Sequence, residues 1–268
     1  MAITKAAKEA YNIEIKDSKK DVDDKGQQLK EINAKKKKMP NIKEYFNIET
    51  ANLHLDIIKD YLKMNDLSLE MLGIRNETFL NNARKELYKV IQMTEEIVGH
   101  DVDRSLKEND DYLINIDRLT PKQILRFIDR IHAAYYNIKT KMGEGSKWKW
   151  SFVELFGRIA VLTKNVTSFS DIQKYRDPRV EFFYERRDLM QLSKDSLNES
   201  AKQYRTKYEM AGKAREDLKK SIELLSALRK IHVIFGEDED AKKLKTTIDA
   251  AKQALEAEDA SNEKKKKK

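Results

Sequence analysis

Cysteine is absent from these 268 residues, so disulfide frameworks and thiolate chemistry are both excluded. Proline occurs three times and glycine eight times, too few turn formers for a strand-rich fold. No apolar run approaches the ~20 residues of a membrane span. The opening MAITKAAKEAYNIEI has no apolar signal-peptide core. His54, His100, His132 and His232 are scattered, and neither HEXXH nor any metal partner at helical spacing accompanies them. GXSXG, GXGXXG and Walker patterns are missing as well, so nothing nominates a nucleophile or a nucleotide loop. The reading is non-enzymatic, with no catalytic residue, metal or cofactor assigned.

What the chain has in abundance is charge. Asp, Glu, Lys and Arg make up 37% of it and hydrophobic residues 40%, a balance suited to solvated helices around a real core. The expected fold is all-α: an elongated helical bundle with one very long carboxy-terminal helix packing in coiled-coil fashion. The net charge of +8 falls to +3 without the five lysines 264–268, and that run reads as a solvated tail.

Hydrophobic spacing divides the chain. Over residues 1–40, Tyr11, Ile15, Val22, Leu29 and Ile32 form a thin helical stripe ended by AKKKKMP. Over 41–170 a compact helical bundle is expected. Within it, one helix runs from about Glu77 to Val98 and stops at Gly99. A second opens at TPKQ, Thr120–Gln123, where a capping Thr, a first-position Pro and a boxing Gln coincide. Over 171–258 comes the long helix and a short final one striped by Leu244, Ile248, Ala251 and Leu255. A disordered Lys-rich tail is expected over 259–268.

The long helix rests on DPRV, Asp177–Val180, as its start signal. Apolar residues follow every seventh place at Phe183, Met190, Leu197, Tyr204, Ala211, Leu218 and Leu225. The companion positions three residues on, Arg186, Ser193, Ser200, Lys207, Ala214, Ser221 and Leu228, are mostly small or polar and make no strong autonomous zipper, while Leu189, Ala201, Tyr208 and Ile222 widen the stripe. Continuous from Pro178 to Phe235, the helix would span roughly 87 Å, with Gly212 its one candidate kink. It should pack on other helices of its own chain, the amino-terminal stripe being one candidate.

Three local patterns invite chemistry. DVDDKG, Asp21–Gly26, starts like a calcium loop but puts Lys25 and Ile32 where oxygen ligands belong. EDED, Glu237–Asp240, and ENDD, Glu108–Asp111, read as helix-end electrostatics. GEGSKWKW, Gly143–Trp150, holds both tryptophans beside two glycines and two lysines. It lacks the strand and the GKS or GKT ending of a phosphate loop. Aromatics on a basic platform also suit nucleic acid. The apolar stretch Phe152–Ala160 that follows, boxed by Ser151 and Glu154, favours a hinge delivering one indole to the core. Alternation in an extended loop would leave one of Trp148 and Trp150 outside, an anchor of the kind favoured at interfaces. Trp148, Trp150, Tyr204 and Tyr208 are the partner-interface candidates.

The segment DPRVEFFYERRDLMQLSKDSLNESAKQYRTKYEMAGKAREDLKKSIELL, Asp177–Leu225, resembles the flagellar-coiling proteins of spirochaetes. The resemblance covers about a fifth of the chain. It implies a helical, non-enzymatic protein of the periplasmic flagellum, exported with its leader removed. Such a protein coats the filament beside a flagellin core and further sheath subunits, self-associates in a lattice, and shapes filament curvature for motility. The alternative, with a cytoplasmic location open to it, is a peripheral helical scaffold binding an acidic membrane surface or nucleic acid through its bases. A membrane bender needs its bases gathered on one face, whereas residues 178–235 interleave acids with bases, which favours the sheath.

Overall fold

The computed structural model describes residues 4–266, except for the side chains of Leu106, Lys107 and residues 258–266. Among the described residues the fold is all-α, with ten α-helices, two 3-10 turns and no strand. Contacts divide the chain into two compact units. The first comprises residues 1–99 and 112–149, the second 100–111 and 150–268. The break falls between Lys149 and Trp150, inside GEGSKWKW, and not near residue 170. The apolar segment after the tryptophans therefore builds the core of the second unit.

In the first unit, α1 (Lys5–Lys38) turns at Pro40–Ile42 into α2 (Lys43–Leu72). α1 is too sparsely apolar to stand alone, and it packs on α2, burying Tyr11 and Ile15 against Met64. Lys25 bridges to Asp60 at 2.6 Å across the same seam. The stretch NDLSLEML, residues 65–72, is the last part of α2, because no breaker precedes Gly73. Gly73 ends the helix with φ of 67°, a conformation that favours glycine. α3 (Glu77–Val98) occupies the expected span, with the Asn76 side chain capping Thr78 N and Phe79 N. α4 (Leu106–Leu113) follows at the passage between units, and α5 (Pro121–Met142) opens on the expected Thr120–Gln123 capping box. Both α3 and α5 pack on α2 and on each other.

The second unit contains α6 (Lys149–Asn165) from Trp150 onward, α7 (Phe169–Lys174), α8 (Phe183–Met210), α9 (Arg215–Ile234) and α10 (Asp238–Lys266). The single very long helix does not form. Pro178 sits in a turn pinned by Arg179 N donating to Asp177 Oδ1 at 2.9 Å, and α8 starts five residues later. Gly212 and Lys213, with φ of 91° and 56°, then break the chain. α9 folds back along α8, so the long stripe packs on its own second half. The heptad survives the break because each helix keeps its own stripe: Leu197 and Tyr204 on α8, Leu218 and Leu225 on α9 are all buried. Buried serines set the close approach. Ser221 Oγ donates to the Ala201 carbonyl at 2.8 Å, and Ser193 Oγ to the α6 carbonyl of Thr163 at 3.1 Å.

Gly236, with φ of 72°, separates α9 from α10. Asp238 and Asp240 lie in the first turn of α10, where carboxylates oppose the helix dipole. The tail expected to be disordered from 259 carries helical backbone through Lys266, and residues 267–268 lie outside the described part.

Candidate functional site

The two tryptophans separate into different units. Trp148 lies in the turn before α6, half-buried in the first unit. The guanidinium of buried Arg84 on α3 sits 3.8 Å from its ring centroid, a cation–π contact strengthened by burial. Arg84 is itself aimed by Nε and Nη2 donating to Asn81 Oδ1. Trp150 belongs to the first turn of α6 and packs, half-buried, on the core of the second unit. Ser151 is thus inside the helix and is not its cap. The expected division into one buried and one exposed indole does not occur, because the helix begins earlier than the loop reading assumed. The glycines end α5, and Arg75 Nη1 donates to the Met142 carbonyl at 2.9 Å there.

Tyr204 and Tyr208, proposed as interface residues, are each only 8% exposed. Their rings face inward. Tyr204 covers Gly157 of α6 so closely that an added Cβ would lie 2.6 Å from its Cε2. Burial, followed by the field of the nearby carboxylates, pushes its hydroxyl up to about 12. Tyr208 packs with Leu218 and Ala251. Both serve the core of the second unit.

One site-like arrangement among the described residues is a cleft of about 380 Å³ in the second unit, a size ordinary for small-ligand pockets. Its lining combines apolar side chains, Val102, Ala227, Ile231, Val233 and Ile234, with the cations Arg104, Lys164, Arg229 and Lys230. α6 contributes Lys164, α9 contributes Arg229 and Lys230, and the loop before α4 brings Val102, Arg104 and Ser105. That loop is fixed by a reciprocal box at its end, with Ser105 N donating to Glu108 Oε2 and Glu108 N to Ser105 Oγ.

The four cations are not equally satisfied. Arg104 pairs with Asp101 at 3.1 Å, and Lys230 pairs with Asp103. Lys164 is 3% exposed, yet its ammonium donates only to the Val102 carbonyl, at 2.8 Å, and has no carboxylate partner among the described residues. Arg229 makes no ion pair or hydrogen bond among the described residues, and its Nε is buried. Burial first, and then the positive charges of Arg104 and Lys230, lower Lys164 to about 8, against the weaker pull of Asp103 and Asp101. An uncompensated ammonium in such a place is costly, and it favours an anion entering the cleft.

Sequence reasoning passed over this cluster. The available signal was Lys164 itself, a charge within the most apolar helix. The adjacent pair Arg229–Lys230 is unremarkable without the fold that sets it beside α6.

Among the described residues no group of His, Asp and Glu side chains is placed to hold a metal ion, and no helix is long and apolar enough to cross a membrane. No curated protein matches the chain. Residues 7–259 match the model of the TP0443 family.

Proposed function

The chain belongs to the TP0443 family, a Treponema-type family in keeping with a spirochaete protein, and on that premise we propose that it is a non-enzymatic structural subunit. In its finer form the reading is a sheath subunit of the periplasmic flagellum, contacting flagellin and other sheath proteins and shaping filament curvature. The observation that carries the structural reading over a membrane or nucleic-acid role is how charge is spent on the outer faces of α8, α9 and α10. Arg205 pairs with Glu209 at 3.0 Å, Lys219 with Glu216 and Lys220 with Glu223 at 2.7 Å, and Lys243 with Asp240 at 3.3 Å. Such pairs add little stability, but among the described residues they interleave the two signs turn by turn along these outer faces, unlike the gathered bases that a membrane or nucleic-acid surface calls for. Large exposed apolar side chains, Ile13, Ile114, Tyr184 and Met210, supply partner contact by burial instead.

Purified periplasmic filaments test the finer reading: they should contain the protein, and cells lacking it should show altered filament curvature. Its absence from filaments would reject the sheath role. Co-sedimentation with anionic liposomes and with DNA over a salt series tests the coarser one. Tight, salt-sensitive binding that persists without residues 264–268 would reject the structural reading in favour of the electrostatic one.

A further inference from the structure

We propose that the cationic cleft between α6, α9 and the loop before α4 binds a small phosphate monoester with an apolar body. Charge counting sets the head group. Of the four cations lining it, Arg104 and Lys230 already hold carboxylates, while Lys164 and Arg229 hold none among the described residues. Two unmatched positive charges are neutralised by a dianion, and a phosphate monoester carries about −1.5 to −2 at neutral pH; a single carboxylate supplies half of that. A planar guanidinium and a buried ammonium are also the donor types that hold phosphate oxygens, the first by paired N–H bonds and the second as a point charge.

The cleft's apolar side sets the rest of the ligand. Val102, Ala227 and Ile231 line it together with the charges, so a bare anion would leave aliphatic surface in contact with water. An organic ester covers that surface and excludes solvent from the ion pairs, strengthening them. The site is already built. Lys164 is held by the Val102 carbonyl, and the loop carrying Val102 is tied down through Asn109 Nδ2 donating to the Thr167 carbonyl at 3.2 Å. Little ordering is left for the ligand to impose. The anion also removes the penalty on the buried ammonium, so Lys164 takes up protons on binding at pH near 8. This site is independent of the assembly role proposed above.

Titration calorimetry of the full chain with n-butyl phosphate, inorganic phosphate and n-butanol tests the proposal. Saturable one-to-one binding of n-butyl phosphate is expected, with inorganic phosphate weaker and butanol inert. Because Arg229 pairs with nothing else described, Arg229→Gln should keep the melting midpoint while weakening n-butyl phosphate roughly tenfold or more. Lys164→Met should abolish the proton uptake, read as the dependence of the binding heat on buffer ionisation enthalpy. Phosphatidic-acid vesicles that compete for the site would assign the head group to a lipid, and vesicles that fail to compete would assign it to a soluble ester; either result supports the site. Absence of saturable n-butyl phosphate binding, or undiminished binding by Arg229→Gln, would overturn it.

Discussion

Lys164 concentrates the tension between burial and charge at the scale of one residue. The unfolded lysine keeps its proton to 10.5, whereas burial lets the folded one release it at about 8. Between those values the unfolded state binds more protons, so raising the pH favours the folded state. The penalty is fully present below pH 8 and is relieved by about 3 kcal/mol as pH rises to 10.5. Denaturant unfolding of wild type and Lys164→Met across this window should show wild type gaining on the variant by that order, and parallel curves would contradict it. Gly157 is the other decisive residue. Alanine gains about 1 kcal/mol of helix propensity there, but its Cβ meets the buried Tyr204 ring at 2.6 Å, and overpacking costs about 1–3 kcal/mol. Gly157→Ala should therefore lower the melting midpoint, and a raised midpoint would show that Tyr204 yields freely. In sequence Lys164 shows only as a charge within an apolar helix and Gly157 only as a glycine within it; the burial of the one and the ring against the other come from the fold.

At the scale of the element, the α8–α9 hairpin depends on a partly buried polar clasp. Lys207 donates to Glu154 of α6 and to Asp217 of α9, each at 2.9 Å. Burial alone would lower Lys207, but the bonds to Asp217 and Glu154 outweigh it and raise the ammonium. Asp217 is buried, so Lys207→Met leaves a carboxylate without its partner. The expected loss is about 3 kcal/mol, with Lys207→Met together with Asp217→Leu recovering most of it; a near-neutral single variant in urea unfolding would refute the clasp. Local signals read this region unevenly. The heptad stripe correctly placed Leu197, Tyr204, Leu218 and Leu225 inward, because periodicity is a property of each turn. It could not show that the chain reverses at Gly212–Lys213, since a hairpin and a straight helix share one stripe. Capping chemistry fared best where it stood alone, as at Thr120–Gln123, and misled at Asp177–Pro178, where Asp177 caps a turn.

For the whole molecule, discontinuity is the governing feature. Residues 100–111 leave the first unit, serve the second and return. They supply the Val102 carbonyl to Lys164 and Asn109 to the Thr167 carbonyl, and Asp110 accepts from Ser168 Oγ at 3.1 Å. A fragment of residues 150–268 should consequently melt lower than the second unit does in the intact chain, with faster amide exchange around 163–167. Equal protection would show that the borrowed loop contributes nothing.

The sequence by itself determined the helical class and the core-facing stripes, with several helix ends among them. Each of these depends on interactions within a few residues, on propensity, on period and on capping. Only the tertiary structure decided that the long stripe folds on itself, that Trp148 and Trp150 part into different units, that Tyr204 and Tyr208 turn inward, and that Lys164 meets Arg229. Those outcomes depend on which surfaces pack together across distant parts of the chain, and the burial that gives each residue its chemistry arises only from that packing.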